Sequence, residues 1–210
     1  MPLDTWLAFF VASWLISLSP GAGAISCMTA GMRFGYHRGL WNIFGLQLGI
    51  MFILVVVAAG LGAVLAASAT AFAVVKWLGV AYLVWLGVQQ WRAPAEPLAV
   101  EGDGVPADGT RKALVLRGFL VNATNPKGLL FMLAVLPQFI DPARPQLPQY
   151  AICAATLLFT DLVVMSGYTG LAARVLRLLR APHHLRAMNR TFGGLFVAAG
   201  ALLATFRRAA

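Results

Sequence analysis

Charged residues are scarce in this chain, and acidic residues are the scarcest of them. Asp and Glu number 7 among 210 residues, against 16 Lys and Arg, and charged residues make up 11% of the sequence. Hydrophobic residues make up 60%, and the mean hydropathy is +0.79. A soluble domain of this size cannot bury so much apolar material. The composition therefore predicts an all-α integral membrane protein whose main solvent is lipid.

Cysteine and histidine are also rare, with 2 and 3 residues. Cys27 and Cys153 fall inside apolar segments, so they predict neither a disulfide framework nor a metal pair. A membrane enzyme needs a nucleophile with a base, or clustered metal ligands. No His lies within a predicted span, and Ser26 has no evident partner in the sequence. These shortages disfavour an integral-membrane enzyme, and no cofactor is predicted.

The formal net charge of +9 would suggest nucleic acid as a partner if it formed a basic face on a soluble domain. Here the Lys and Arg residues lie between hydrophobic segments, where they act as topology signals. They are concentrated in the loops after the first, third and fifth segments, which predicts that these loops are cytoplasmic and both termini are outside. Arg207 and Arg208 at the carboxyl end are the main evidence against this orientation.

Six apolar runs have about the twenty residues that a helix needs to cross a bilayer. They cover approximately residues 5–29, 40–65, 72–91, 114–140, 150–173 and 187–206. Asn189 and Arg190 weaken the start of the sixth run, so a five-span alternative stays open. The first run is too long for a signal peptide and follows no basic start, which predicts a first span.

The stretch 93–110 is rich in Pro, Gly and acids, and it predicts a flexible cytoplasmic linker within a single membrane domain of residues 1–210. The linker divides the chain into three spans plus three spans. Because an odd number of spans per half makes the halves enter from opposite sides, we expect an inverted 3+3 repeat.

Two predicted spans, the first and the fourth, are interrupted by a helix-breaking motif. The motifs are Ser19-Pro20-Gly21 and Asn125-Pro126-Lys127-Gly128. Proline removes a backbone hydrogen bond, and unwound backbone at membrane depth must line a cavity or meet other groups. A simple proline kink is the alternative at either site. Because the breaks occupy matching places in the two halves, they predict a substrate site. Its predicted members are Ser19, Pro20, Gly21, Asn125, Pro126 and Lys127.

One acid and one base lie near the middle of predicted spans. Asp161 is a candidate for proton coupling or for binding a substrate ammonium group, and Lys127 is its candidate counter-ion or a partner for a substrate carboxylate. A permanent salt bridge between them is the structural alternative. Asn42 and Gln47 in the second span are further candidates for substrate binding, or else they join helices by hydrogen bonds.

Four blocks of this sequence resemble the signature blocks of the lysine exporter and homoserine/threonine resistance (LysE/Rht) family. They are S-L-S-P-G at 17–21, K-W-L-G-V-A-Y-L-V-W-L-G at 76–87, N-A-T-N-P-K at 122–127 and P-Q-F-I at 137–140. Shorter blocks at 45–47, 89–92 and 200–204 are similar to the branch that exports homoserine and its lactone. The resemblance covers essentially the whole chain.

This resemblance implies a proton-driven secondary exporter of small amino acids in the bacterial inner membrane. Homoserine, homoserine lactone and threonine are the implied substrates, and alternating access and a homodimer are expected. Many relatives have an aspartate where this chain has Ile50, so a greater share of the coupling falls on Asp161. Ala22 also replaces a residue that is often polar or proline. Export of a divalent metal ion stays as an alternative, although it would require several buried carboxylate, Cys or His ligands.

Overall fold

The computed structural model describes residues 1–67, 69–94, 109–172 and 181–205, and every regular element in these ranges is helical. Residues 95–108, most of the predicted linker, lie outside the described residues. The elements are α1 (Leu3–Leu18), α2 (Ala22–Phe34), α3 (Tyr36–Ala67), α4 (Ala69–Arg92), α5 (Arg111–Ala123), α6 (Pro126–Ala134), a 3-10 helix (Leu136–Phe139), α7 (Gln146–Gly170) and α8 (Pro182–Thr205).

Up to four segments among the described residues are long and apolar enough to cross a membrane. Helices α3 and α7 meet this criterion individually, whereas α1 with α2, and α5 with α6 and the 3-10 helix, meet it only as bent pairs. Helices α4 and α8 occupy the positions of the third and sixth predicted spans. The all-helical, apolar architecture is confirmed, and the six-span inverted repeat stays a prediction.

Both predicted breaks are present, and the chain turns sharply at each. The axes of α1 and α2 differ by 55°, and those of α5 and the segment Pro126–Phe139 differ by 51°. Ser19 has the extended backbone conformation that a following proline favours. Asn125 is also extended, its side chain accepts a hydrogen bond from the Lys127 amide, and Pro126 occupies the first position of α6. Asparagine as a helix cap followed by proline is a strong start signal for a helix.

Two close helix pairs connect the parts of the chain before and after the predicted linker. Helix α3 packs on α5, and α4 packs on α8. A Cβ atom on Gly45 would collide with the Val115 carbonyl group, and one on Gly87 would lie 2.7 Å from the Gly193 carbonyl oxygen. Small residues therefore set both crossings, as is common between membrane helices.

A buried polar residue near the start of α8 forms hydrogen bonds with the end of α4. Asn189 is buried and accepts a hydrogen bond from the Gln90 side chain of α4 at 2.8 Å. Its own amide donates to the Ala93 carbonyl at 3.4 Å. Asn189 thus contributes to the α4–α8 contact, and the helix begins before it, at Pro182. Cys27 and Cys153 are both buried as free thiols.

Candidate functional site

A partly polar cavity lies between the two helix breaks. Its volume is about 70 Å³, which is space for several water molecules or a small polar ligand. Helices α1, α2, α3, α5, α6 and α7 all contribute to it. The lining residues are Ile16, Ser17, Ser19, Gly21, Gly23, Ala24, Leu46, Ile50, Asn122, Asn125, Lys127, Gly128, Phe131, Met132, Leu157, Asp161 and Met165.

The ammonium group of Lys127 connects the second break to the first. Its Nζ donates to the Ser19 carbonyl oxygen at 2.9 Å and to the Ser19 hydroxyl oxygen at 2.7 Å. The Phe196 ring centroid lies 5.7 Å from Nζ, within the range of a cation–π contact. A cation is also well placed at the carboxyl end of α1, where backbone carbonyls carry partial negative charge.

Asp161 lies on α7, across the same cavity. It is only 8% exposed, and its Oδ2 accepts a hydrogen bond of 2.7 Å from Nε2 of Gln47. The Ser17 hydroxyl also lies beside this carboxylate. Gln47 is thus a neighbour of the acid, although it is absent from the residues that line the cavity. Because a charge at this depth is costly without partners, Gln47 and Ser17 help to retain it.

Lys127 and Asp161 share a cavity but do not form a salt bridge. Among the described residues, the ion pair within 4.0 Å joins Arg144 to Asp141, at 3.3 Å on an exposed turn. Lys127 is held by Ser19 and Asp161 by Gln47, so the two charges face the cavity from different walls. The permanent salt bridge considered from the sequence is not formed.

The predicted substrate-binding residues differ in their relation to the cavity. Ser19, Gly21, Asn125 and Lys127 line it, whereas Pro20 and Pro126 shape the breaks without lining it. Asn42 is completely buried away from it. Its side chain accepts a hydrogen bond from Ser26 at 3.1 Å and donates to the Cys27 sulfur at 3.6 Å. Asn42 therefore joins α3 to α2 by hydrogen bonds, which is the alternative to substrate binding that the sequence left open.

Several polar residues around the site were not among the predicted ones. Asn122 lines the cavity and donates to the Leu46 carbonyl at 2.9 Å, which fixes α5 to α3. Tyr168 on α7 donates to the Leu18 carbonyl at 2.7 Å, at the end of α1. Ser17 and Asn122 belong to the same sequence blocks as the breaks, so those blocks contained the signal. Tyr168 has no comparable signal, because its partner is a backbone carbonyl 150 residues away.

Ile50 also lines the cavity, and it is buried. The family resemblance implies an aspartate at this position in many relatives, and a side chain at this position lines the same cavity. Within the described residues, no group of three or more His, Cys, Asp or Glu side chains is placed to hold a metal ion.

The fold and the site together are those of a membrane translocator, with apolar helices enclosing a polar cavity between two broken segments. The chain belongs to the family of LysE type translocators, which matches residues 14–206. A homoserine/homoserine lactone efflux protein of Salmonella typhimurium is 44% identical over 209 residues, covering 100% of both chains. An uncharacterized membrane protein of Vibrio cholerae is 41% identical over 98% of each chain.

A leucine efflux protein of an Enterobacter species is more distant, with 28% identity over 97% of this chain and 96% of its own. No solved structure matches this chain significantly. These relatives are bacterial, and the protein is a multi-pass protein of the bacterial inner membrane. Membership of a translocator family favours transport over the membrane-enzyme alternative.

Proposed function

We propose that this protein is a secondary active exporter of small amino acids and derivatives, namely homoserine, homoserine lactone and threonine. Export is driven by the proton gradient and proceeds by alternating access around the cavity between the breaks. The family and the efflux functions in the names of its relatives support the class of substrate.

The observation that carries this proposal is one ammonium group and one carboxylate, unpaired with each other, in a single small cavity. A zwitterionic amino acid carries the complementary pair of charges. Its carboxylate would meet Lys127 and the positive end of α2, whose residues Gly23 and Ala24 line the cavity. Its ammonium group would meet Asp161. If Lys127 and Asp161 formed a salt bridge with each other, neither charge would be available to bind the substrate.

Homoserine lactone restricts this scheme, because it has an amino group but no free carboxylate. If both compounds are exported, recognition of the carboxylate cannot supply most of the binding free energy. Asp161 is then the partner common to both substrates. It is also the acid in the cavity that can bind and release a proton, so substrate and proton would compete for one group.

The test of the function is an efflux panel with the protein in a host that lacks its own exporters. Cells are loaded with homoserine, homoserine lactone, threonine, leucine or lysine, and efflux and growth resistance are compared with an empty vector. We expect protection against homoserine, its lactone and threonine. Divalent metal ions are included to test the metal-export alternative. If the protein protects against none of the amino acids in the panel, the proposal is refuted.

The proton-coupling role of Asp161 is tested by Asp161→Asn in proteoliposomes with an imposed proton gradient. The amide can still accept the Gln47 hydrogen bond, so folding should be retained. We expect gradient-driven homoserine transport to be lost while exchange of substrate down its own gradient persists in part. Adding Ile50→Asp places a carboxylate on the same cavity and should restore part of the driven transport. Full proton-driven transport by Asp161→Asn alone would exclude this role.

The proposed homodimer rests on the family resemblance. It is tested by measuring the mass of the purified protein in detergent or nanodiscs, and we expect the mass of two 22.4 kDa chains.

A further inference from the structure

Beside the polar cavity lies a second, larger space that is lined by apolar side chains. This groove lies between α1, α4, α6 and α8 and has a volume of about 370 Å³. Every side chain that lines it is apolar, including Val11, Leu83, Phe139 and Leu195. It is about five times larger than the polar cavity, and it lacks the charged and amide side chains that the polar cavity contains.

Phe131 belongs to the walls of both spaces. It is only 2% exposed and is the residue that the two linings share, so we place the boundary between the two spaces at Phe131. Phe131 also follows Lys127 by one helical turn on α6, which places the two side chains on one face of that helix. A ligand carboxylate at Lys127 therefore lies close to the Phe131 ring.

We propose that Phe131 determines which substrates this transporter accepts, by separating the polar cavity from the apolar groove. This inference rests on the proposed function, in which a small amino acid occupies the polar cavity. With the Phe131 ring in place, the substrate side chain must be short. Without it, the cavity extends into the groove, and a long apolar side chain gains a site. Leucine and norleucine represent the substrates that Phe131 excludes.

The experiment measures export of leucine, norleucine and homoserine by the wild type, Phe131→Leu and Phe131→Ala. Because burying an apolar side chain is favourable, the leucine-to-homoserine export ratio should rise about tenfold or more in Phe131→Ala. Phe131→Leu removes less volume, so its export ratio should lie between those of the wild type and Phe131→Ala. If Phe131→Ala fails to reach the membrane, the Phe131→Leu ratio decides the question.

Phe139→Ala is the matched control. Phe139 is also a buried phenylalanine that lines the groove, but it does not line the polar cavity. Its truncation enlarges the groove and leaves the partition intact, so the export ratio should stay at the wild-type value. A second control adds Val11→Trp to Phe131→Ala. Val11 lines the groove and is 56% exposed. The indole ring introduced at this position should fill the groove and reverse the gain in leucine export.

The outcomes separate this inference from the proposed function. An unchanged ratio in Phe131→Leu and Phe131→Ala overturns the role of Phe131, as does an equal rise in Phe139→Ala. A wild-type protein that exports leucine as fast as homoserine overturns it too, while amino-acid export still stands. If the wild type exports no amino acid, the proposed function itself fails.

Discussion

The two helix breaks look alike in sequence but are stabilised in different ways. The second break is held largely from within, because the Asn125 side chain caps α6 and Pro126 begins it. The first break is held from outside, since Tyr168 binds the Leu18 carbonyl and Lys127 binds Ser19. Both of these donors lie after the predicted linker. The first break therefore depends on two donors from the second half of the chain, whereas the second break receives one from the first half, where the Tyr82 hydroxyl of α4 donates to the Lys127 carbonyl oxygen at 3.3 Å.

If the proposed substrate binds at Lys127, the first break is the one that responds to it. A substrate carboxylate at Lys127 would compete with the Ser19 oxygens for the same N–H groups. Binding would then weaken one of the two contacts that hold the end of α1. The α6 cap uses a backbone amide of Lys127 instead of its ammonium group, so it is unaffected.

The largest expected effect comes from Lys127→Met, which removes the ammonium group that connects the breaks. We expect homoserine export to fall by about 100-fold, equivalent to about 2.7 kcal/mol, because the Ser19 oxygens and the substrate carboxylate lose their cationic partner. Export of homoserine lactone should fall less, since it has no carboxylate. Lys112→Met, at an exposed lysine at the start of α5, is the control and should export both compounds normally. Equal losses for both substrates would contradict the assignment of Lys127 to the carboxylate.

The two prolines should differ in importance, and paired alanine substitutions test this. In Pro20→Ala the new amide can bond to the carbonyl four residues earlier and extend α1, so export should fall about tenfold. In Pro126→Ala the new amide lies in the first turn of α6, where helical amides have no intrahelical partner, and Asn125 still caps the helix. Its export should change by about twofold or less. Similar losses in the two variants would show that the breaks are equivalent.

The smallest effect is expected from Tyr168→Phe, which removes the hydrogen bond to the Leu18 carbonyl. Hydrogen bonds between membrane helices contribute about 0.6 kcal/mol on average, so the melting temperature in detergent should fall only slightly. Tyr36→Phe is the control, because Tyr36 is 42% exposed and its ring makes an edge-to-face contact with His37. If Tyr168→Phe is as stable as this control, the bond does not hold the first break.

The positions of the breaks could be predicted because proline and glycine act through local backbone chemistry. Lys127 and Asp161 could be identified because charges near the middle of apolar segments are rare. Their partners could not be predicted, since these depend on how each helix is rotated about its axis. Lys127 thus binds Ser19, and Asp161 binds Gln47, although the sequence equally allowed them to bind each other.

Asn42 and Gln47 show, on a single helix, that the sequence does not specify how a helix is rotated about its axis. Asn42 and Gln47 are five residues apart, which rotates their side chains by about 140° around α3. They cannot both face one cavity, and the sequence alone did not specify which face of α3 points inward. The structure turns Gln47 toward α7 and Asn42 toward α2.

The glycine contacts of α3 with α5 and of α4 with α8 have a consequence for how the protein is made. Both contacts pair a helix synthesised early with one synthesised late. Helices α3 and α4 are therefore synthesised before the helices that cover Gly45 and Gly87. Assembly is completed when the second half arrives. A chain interrupted between these halves should consequently recover export when both fragments are produced in the same cell, and neither fragment should do so alone.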